Sequence, residues 1–324
     1  MRRFLAVLAI PLLAGMALAG CGSSKPAVKA TNENAVVTAT GSFDKSPNVT
    51  IPKAKASTTL TVKTLISGTG PALTGTEQFL GNYAVYSWDG TAHALKGSTY
   101  SAVPTIFTSP LLPGLKTALT GKKVGSRVLA VVPPKDGFGT TGNSQAGITG
   151  TTTLVFIIDV IKAYPGNPAA SGSQVAHGGG NLPTVTEPTA AGTAPTVKMP
   201  GKTVKPPASL QVQTLIKGTG PAVGKGQWVV AQYVGYIWRT SGVFDSSWSR
   251  KVPFVFKIGS SPAQVITGWD TGLQGQTVGS RVLLVVDPKD GYGSTGNSQA
   301  GINATDTLVF VVDIVDALDP ATTT

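Results

Sequence analysis

The strongest constraint on this chain is that it contains one sequence twice. Leu65-Ile66-Ser67-Gly68-Thr69-Gly70-Pro71-Ala72 returns as Leu215-Ile216-Lys217-Gly218-Thr219-Gly220-Pro221-Ala222. Val124 to Ile148 matches Val278 to Ile302 at 21 of 25 positions, and Thr153-Leu154-Val155-Phe156 returns as Thr307-Leu308-Val309-Phe310. The offset is 150 early and 154 late, so the copies differ by loop length in the middle. Two repeats of about 108 residues are two domains rather than a solenoid.

Each copy reads as strands around one short helix. In the second, Leu210–Ile216, Trp228–Trp238, Phe254–Ile258, Arg281–Val286 and Thr307–Val315 are rich in β-branched and aromatic residues and predict strands. Pro262–Leu273 predicts the helix, with Pro262 near its start and Gly275 past its end. The expected fold is α+β, a twisted antiparallel sheet packed on one short helix in each copy. Gly 40 and Pro 23 among 324 residues agree with loops and strands rather than long helices. The Gly/Ser/Asn-rich stretch Pro288–Thr305 predicts a long loop, and loops of that length are usually functional or disordered.

The remaining segments read as an address and two tethers. Met1-Arg2-Arg3 precedes an apolar run from Phe4 to Ala19, then Leu18-Ala19-Gly20-Cys21. So short a run with a small-residue exit predicts a cleaved signal peptide over 1–20. The exit resembles the bacterial lipobox, which implies lipidation of Cys21, the chain's only cysteine. The resulting expectation is a lipid anchor on the extracytoplasmic face of a bacterial cell membrane. Residues 21–56 have few large apolar groups and are expected as a flexible tether. Residues 165–208, with eight Pro and seven Gly, are expected as a disordered linker. Domains are therefore expected at 57–164 and 209–324.

Composition excludes several chemistries. One Cys and two His (His93 and His177) leave little for a metal site or a Ser-His relay, so no metal or cofactor is expected and a hydrolase is disfavoured. The net charge of +11 concentrates toward the N-terminus: +5 over 1–56, +4 over 57–164, +2 over 165–208 and zero over 209–324. No Arg-rich stripe interleaves with aromatics, so nucleic-acid binding is not expected; a basic tether near an anionic surface is.

The second copy carries Tyr233, Phe244-Asp245-Ser246-Ser247, Arg250, Pro253-Phe254, Val265-Ile266-Thr267-Gly268-Trp269, Gly291-Tyr292-Gly293 and Phe310. In that order and spacing, this set resembles the FK506-binding-protein family of peptidyl-prolyl isomerases, over about residues 209–318. The resemblance implies a proline slot walled by Tyr233, Phe244, Phe254, Val265, Ile266 and Phe310, with Trp269 as its floor. It implies that Tyr292 and the Ile266 amide hold substrate carbonyls, and that Asp245 sits at the rim, oriented by Arg250 and Tyr233. It implies proline-containing peptide segments of exported proteins as substrates, and FK506-like macrolides as ligands of a monomer. Thr295 to Ile302 departs from the family's Pro-rich loop tip; Ile302 is expected to supply the loop's apolar contact.

The first copy keeps the scaffold and loses the slot. The expected counterparts of Phe244-Asp245 are Leu95-Lys96; Trp269 becomes Leu115, Tyr292 becomes Phe138, Phe254 becomes Thr105 and Arg250 becomes Ser101. Two readings follow. One is an extracytoplasmic peptidyl-prolyl cis-trans isomerase assisting protein folding, active in the second domain. The other is a non-catalytic, lipid-anchored chaperone or adaptor for apolar or proline-containing peptides.

Overall fold

The computed structural model describes residues 36–90, 92–176, 180–188, 190 and 192–320. The expected signal peptide and Cys21 lie outside the described residues. The chain divides between Tyr164 and Pro165 into two units.

The first unit comprises β1 (Thr38–Thr40), β2 (Asn48–Thr50), β3 (Thr61–Ile66), β4 (Gln78–Asp89), β5 (Ala92–Ser98), β6 (Thr105–Phe107), α1 (Pro113–Leu119), β7 (Arg127–Val132) and β8 (Thr153–Tyr164). Its antiparallel sheet runs β3-β7-β8-β4-β5, with β6 also on β4. The second unit comprises β9 (Gly172–Gln174), β10 (Thr184–Thr186), β11 (Thr196–Lys198), β12 (Gln211–Gly218), β13 (Trp228–Ile237), β14 (Gly242–Ser246), α2 (Ser247–Arg250), β15 (Phe254–Lys257), α3 (Thr267–Leu273), β16 (Arg281–Val286) and β17 (Leu308–Leu318). Its sheet runs β14-β13-β17-β16-β12-β9, with β15 on β13. Each unit is thus the expected antiparallel sheet with few helices.

The central strands are apolar at successive positions rather than alternate ones. All six residues of β16, Arg281-Val282-Leu283-Leu284-Val285-Val286, are buried. Side chains along a strand point to opposite faces, so such a run needs cover on both. Val282, Leu284, Val286, Phe310 and Val312 join Trp269 and Leu273 of α3 in one core. Leu283, Val285, Val309 and Val311 join Trp248 in a second core on the other face, and Leu182, Val185, Val197 and Met199 pack against it. Those last four come from the segment expected as a disordered linker. That expectation is corrected: β10 and β11 form an antiparallel hairpin over the outer face, and β9 pairs with β12 at the sheet edge. Proline and glycine set the turns of this segment, but its spaced apolar residues find an apolar face to cover.

The first unit repeats the device. Residues 36–56, expected as part of a flexible tether, contain the β1–β2 hairpin, whose Val37 and Ile51 share a core with Trp88, Leu129, Val131, Val155 and Ile157. A buried ion pair fastens each cover. Arg127 Nε and Nη2 donate to the two oxygens of Asp159 at 2.7 and 2.6 Å, and its nitrogens also donate to the Gly41 and Lys45 carbonyls. Arg281 grips Asp313 at 2.6 and 2.7 Å and also bonds Glu187, while the Ala170 N–H donates to Asp313 at 2.8 Å. Buried charges persist only when paired and hydrogen-bonded, and in each unit the cover segment supplies the further bonds of the pair.

The helix of the second unit is shorter than expected. Ile266 is extended (φ −66°, ψ 154°), and α3 starts at Thr267. The side chain of Gln264 accepts the Lys257 N–H at 2.8 Å, which ties the preceding stretch to β15 instead of a helical turn.

Candidate functional site

The slot lies on the helix side of the second sheet, where β13, β14, β15 and β17 meet the start of α3 and the loop after β16. Trp269 points into the core and is 3% exposed. Four rings meet it edge-on: Tyr233 at 5.2 Å, Phe310 at 5.3 Å, Phe256 at 5.4 Å and Phe254 at 6.2 Å between centroids. Edge-to-face pairs at such distances contribute about 0.5–1.5 kcal/mol each beyond their burial. Phe244 meets Phe310 edge-on at 5.6 Å. Phe254 is exposed and stands at the rim. Val265, Ile266 and Tyr292 are partly buried against the same core, and Ile302 is buried in it. The loop that brings Ile302 there is pinned by reciprocal backbone bonds between Asn297 and Ile302 at 2.8 and 2.9 Å.

A polar triad closes one side. The Tyr233 hydroxyl donates to Asp245 Oδ2, Arg250 Nη1 bonds Asp245 Oδ1, and Arg250 Nη2 donates to the Tyr233 hydroxyl at 3.0 Å. Burial first, and then the hydrogen bond to Asp245, hold the Tyr233 phenol well above its ordinary pKa. Burial also raises Tyr292, opposed by a hydrogen bond with the Asn297 side chain and helped by the charge of Asp245. Both phenols therefore stay protonated at neutral pH. Trp269 Nε1 has no hydrogen-bond partner among the described residues.

The structure thus brings together every residue singled out for the slot, with Arg250 and Asp245 at its wetter edge. It adds three to which sequence reading gave no role in the slot. Phe256 is fully buried behind Trp269. Ser247 donates to Gln232 at 2.5 Å and accepts the Tyr233 N–H at 2.8 Å, which locks α2 to β13. Gly235 sits beneath Phe244: a Cβ there would lie 2.8 Å from the Phe244 ring and 3.0 Å from Phe310. The alignment of Tyr233-Val234-Gly235 with Tyr83-Ala84-Val85 at an offset of 150, which sets Gly235 against Val85, was the available signal.

The first unit keeps Tyr83, Phe107, Ile148 and Phe156 at the places of Tyr233, Phe256, Ile302 and Phe310, but its β5 wall and its floor differ, the wall by one residue from the expected alignment. Gly235 pairs with Asp245 as Val85 pairs with Gly97, and the register shifts at the next residue in both units. Gly97 therefore holds the place of Asp245, and Lys96 the bulged place of Phe244. Leu95 is displaced to the exposed position of Val243. Lys96 Nζ reaches the loop and donates to the Gly147 carbonyl at 3.1 Å. Leu115 is fully buried where Trp269 stands in the second unit.

A family model described as FKBP-type peptidyl-prolyl cis-trans isomerase matches residues 82–161 and 220–315. An FK506-binding protein of Streptomyces anulatus is 40% identical over 121 residues, which are 37% of this chain and 94% of that protein. A Xenopus laevis protein named peptidyl-prolyl cis-trans isomerase FKBP1A is 39% identical over 107 residues, 33% of this chain and 95% of its own length. Among solved structures, that of AtFKBP13 is similar at 31% identity, with a TM-score of 0.31, over 34% of this chain and 94% of that one.

Proposed function

The chain belongs to the FKBP-type peptidyl-prolyl cis-trans isomerase family, and from that premise we propose that its second domain is the isomerising one. The observation that carries this reading is the aromatic box around Trp269 with its Tyr233–Asp245–Arg250 edge, against Leu115, Val85, Lys96 and Gly97 in the first domain. Rotation about an X-Pro bond must surmount about 18–20 kcal/mol because the amide is conjugated. The twisted amide has lost that resonance, and its carbonyl is less polar than the planar one. A water-poor aromatic slot favours the twisted form, which is differential binding of the transition state and requires no nucleophile. Lowering the barrier by about 5–6 kcal/mol corresponds to roughly 10⁴-fold. In this reading Trp269 carries the proline ring, Tyr292 and the Ile266 amide hold carbonyls, and the triad fixes the Tyr233 face.

The substrates proposed are proline-containing segments of exported proteins, and FK506-like macrolides are proposed to compete for the same slot. The extracytoplasmic, lipid-anchored location rests on Leu18-Ala19-Gly20-Cys21 after the apolar run. For the first domain the substitutions favour the second reading, a non-isomerising module. The test is the catalysed cis–trans rate of one proline tetrapeptide with the full chain, with Trp269→Leu and with Leu115→Ala. Loss in the first variant alone supports the assignment; loss in the second alone, or no catalysis by the parent, overturns it. A Cys21→Ser chain that stays with membranes through a high-salt wash as the parent does would overturn the anchor.

A further inference from the structure

We propose that the first domain carries a docking surface for anionic phospholipid headgroups, built by lysines at the end of the sheet where α1 finishes. Lys116 lies in the last turn of α1, Lys122 and Lys123 in the turn that leads to β7, Lys63 on β3 and Lys162 on β8. All but the half-buried Lys122 are exposed. The backbone gathers them. The Lys122 carbonyl accepts the Leu73 N–H at 2.8 Å, Lys123 bridges Ala72, and Lys122 Nζ donates to Thr64 Oγ1 at 2.9 Å; Lys63, the preceding residue of β3, leaves the same strand by its other face. The Gly125 N–H donates to the carbonyl of Val160, two residues before Lys162. The acid at this end, Glu77, accepts from Thr74 and Thr76 at 2.5–2.9 Å.

The second domain shows that the fold does not require these charges. At the same positions it has Asp270, Gln276, Thr277, Gln213 and Asp316. The strand registers confirm the equivalence: Leu80 pairs with Lys162 as Val230 pairs with Asp316. The bond from Lys122 to Thr64 is made by a neutral group in the other copy, where Thr214 Oγ1 donates to Gln276 at 3.0 Å. Five lysines thus stand where the sister domain has two acids and three neutral residues. Over residues 36–164 the excess is eleven Lys and Arg against five acids; over 165–324 it is eleven against nine.

Lysines are compact point charges on flexible stems and suit a diffuse array of phosphates better than one bidentate partner. No aromatic residue interleaves them, which disfavours nucleic acid. Each lysine near an anionic leaflet contributes about 1 kcal/mol. The choice of lipid also rests on the membrane reading of residues 1–21. The 15 residues from Cys21 to Val36 span at most about 50 Å, so an anchor at Cys21 keeps the start of this domain within that distance of the bilayer.

The test uses the chain from Gly22 onward, which keeps every described residue and lacks the anchor, with vesicles of phosphatidylglycerol and phosphatidylcholine or of phosphatidylcholine alone. Expected are sedimentation with the anionic vesicles only, release by salt, and at least about a hundredfold weaker binding of the chain carrying Lys63→Gln, Lys116→Asp, Lys122→Gln and Lys123→Thr. Those residues come from the sister copy, so the thermal midpoint should hold. A control carrying Lys53→Gln, Lys55→Gln and Lys135→Gln should bind nearly as the parent does. Failure of the parent to bind, binding by the fourfold variant equal to the parent's, or an equal loss in the control would overturn the proposal. Capture by polyglutamate without vesicle binding would also overturn it, in favour of an acidic protein. Tetrapeptide isomerisation, read in parallel, tests the second domain separately.

Discussion

The two slots stand on the same frame and diverge through neighbouring residues that cannot change one at a time. In the second domain Gly235 leaves room for the Phe244 ring to stand edge-on to Phe310, and Asp245 beside it bonds Tyr233 and Arg250. In the first, Val85 fills the place of Gly235, Lys96 replaces the ring and turns to the Gly147 carbonyl, and Gly97 removes the carboxylate. Leu115 replaces the indole floor in a core that is otherwise equally dry. The loop over each slot is nearly identical and pinned alike, Asn143 to Ile148 and Asn297 to Ile302. A slot is therefore lost through its floor and wall while its lid and sheet persist, because the sheet is held by contacts on its other face.

The largest expected effect breaks the frame itself. Residues 209–324 alone would expose Leu283, Val285, Val309, Val311 and Trp248, and would take Glu187 from Arg281 and the Ala170 N–H from Asp313. Each large apolar side chain uncovered costs about 1.5–3 kcal/mol, so the loss rivals a domain's whole stability of about 5–15 kcal/mol. Denaturant unfolding should show no cooperative transition for that fragment and a normal one for 165–324. Next, Trp269→Ala should cost about 3–5 kcal/mol and abolish catalysis, whereas Trp269→Leu should fold better and still lose most of the rate. Equal rates for Trp269→Leu and the parent would make Trp269 mere core.

Gly235→Val should lower activity by roughly tenfold or more and destabilise by about 1–3 kcal/mol through overpacking. In a Phe244→Ala background the same substitution should cost much less, and a double-mutant cycle reads that coupling. Asp245→Gly should reduce the rate more mildly. The parent's rate should stay flat across neutral pH, since Tyr233 and Tyr292 titrate above their ordinary range. The smallest effect concerns Asp306, which Arg239 holds below the ordinary carboxylate range through bonds of 2.8 Å; Thr152 and Asp89 replace the pair in the first domain. A depressed pKa stabilises above the unfolded value, about pH 4, and that contribution is lost as pH falls through the folded one. Calorimetry of Asp306→Asn against the parent should therefore show a gap at pH 7 that closes in acid.

Much of this was legible in order and residue type alone. The repeat marked two domains, β-branched runs marked β12, β13, β15, β16 and β17, and the motifs of the second copy, through their resemblance to the FK506-binding-protein family, implied one slot. Those features are local, or depend only on which residues recur. Three things were decided by tertiary structure. The pairing of Asp245 with Gly97 rather than Lys96 depends on a bulge, which shifts register by one residue and leaves no trace in composition. The role of Gly235 depends on rings that reach it from β14 and β17. The fate of residues 36–56 and 165–208 depends on the far face of the sheet. Their Pro, Gly and Thr content describes a chain that cannot bury itself, but Val37, Ile51, Val185 and Val197 need only a partner face. The apolar runs Val128–Val132 and Leu154–Ile158 supply one in the first domain, and Val282–Val286 and Leu308–Val312 in the second, because alternate side chains must leave the sheet on opposite sides.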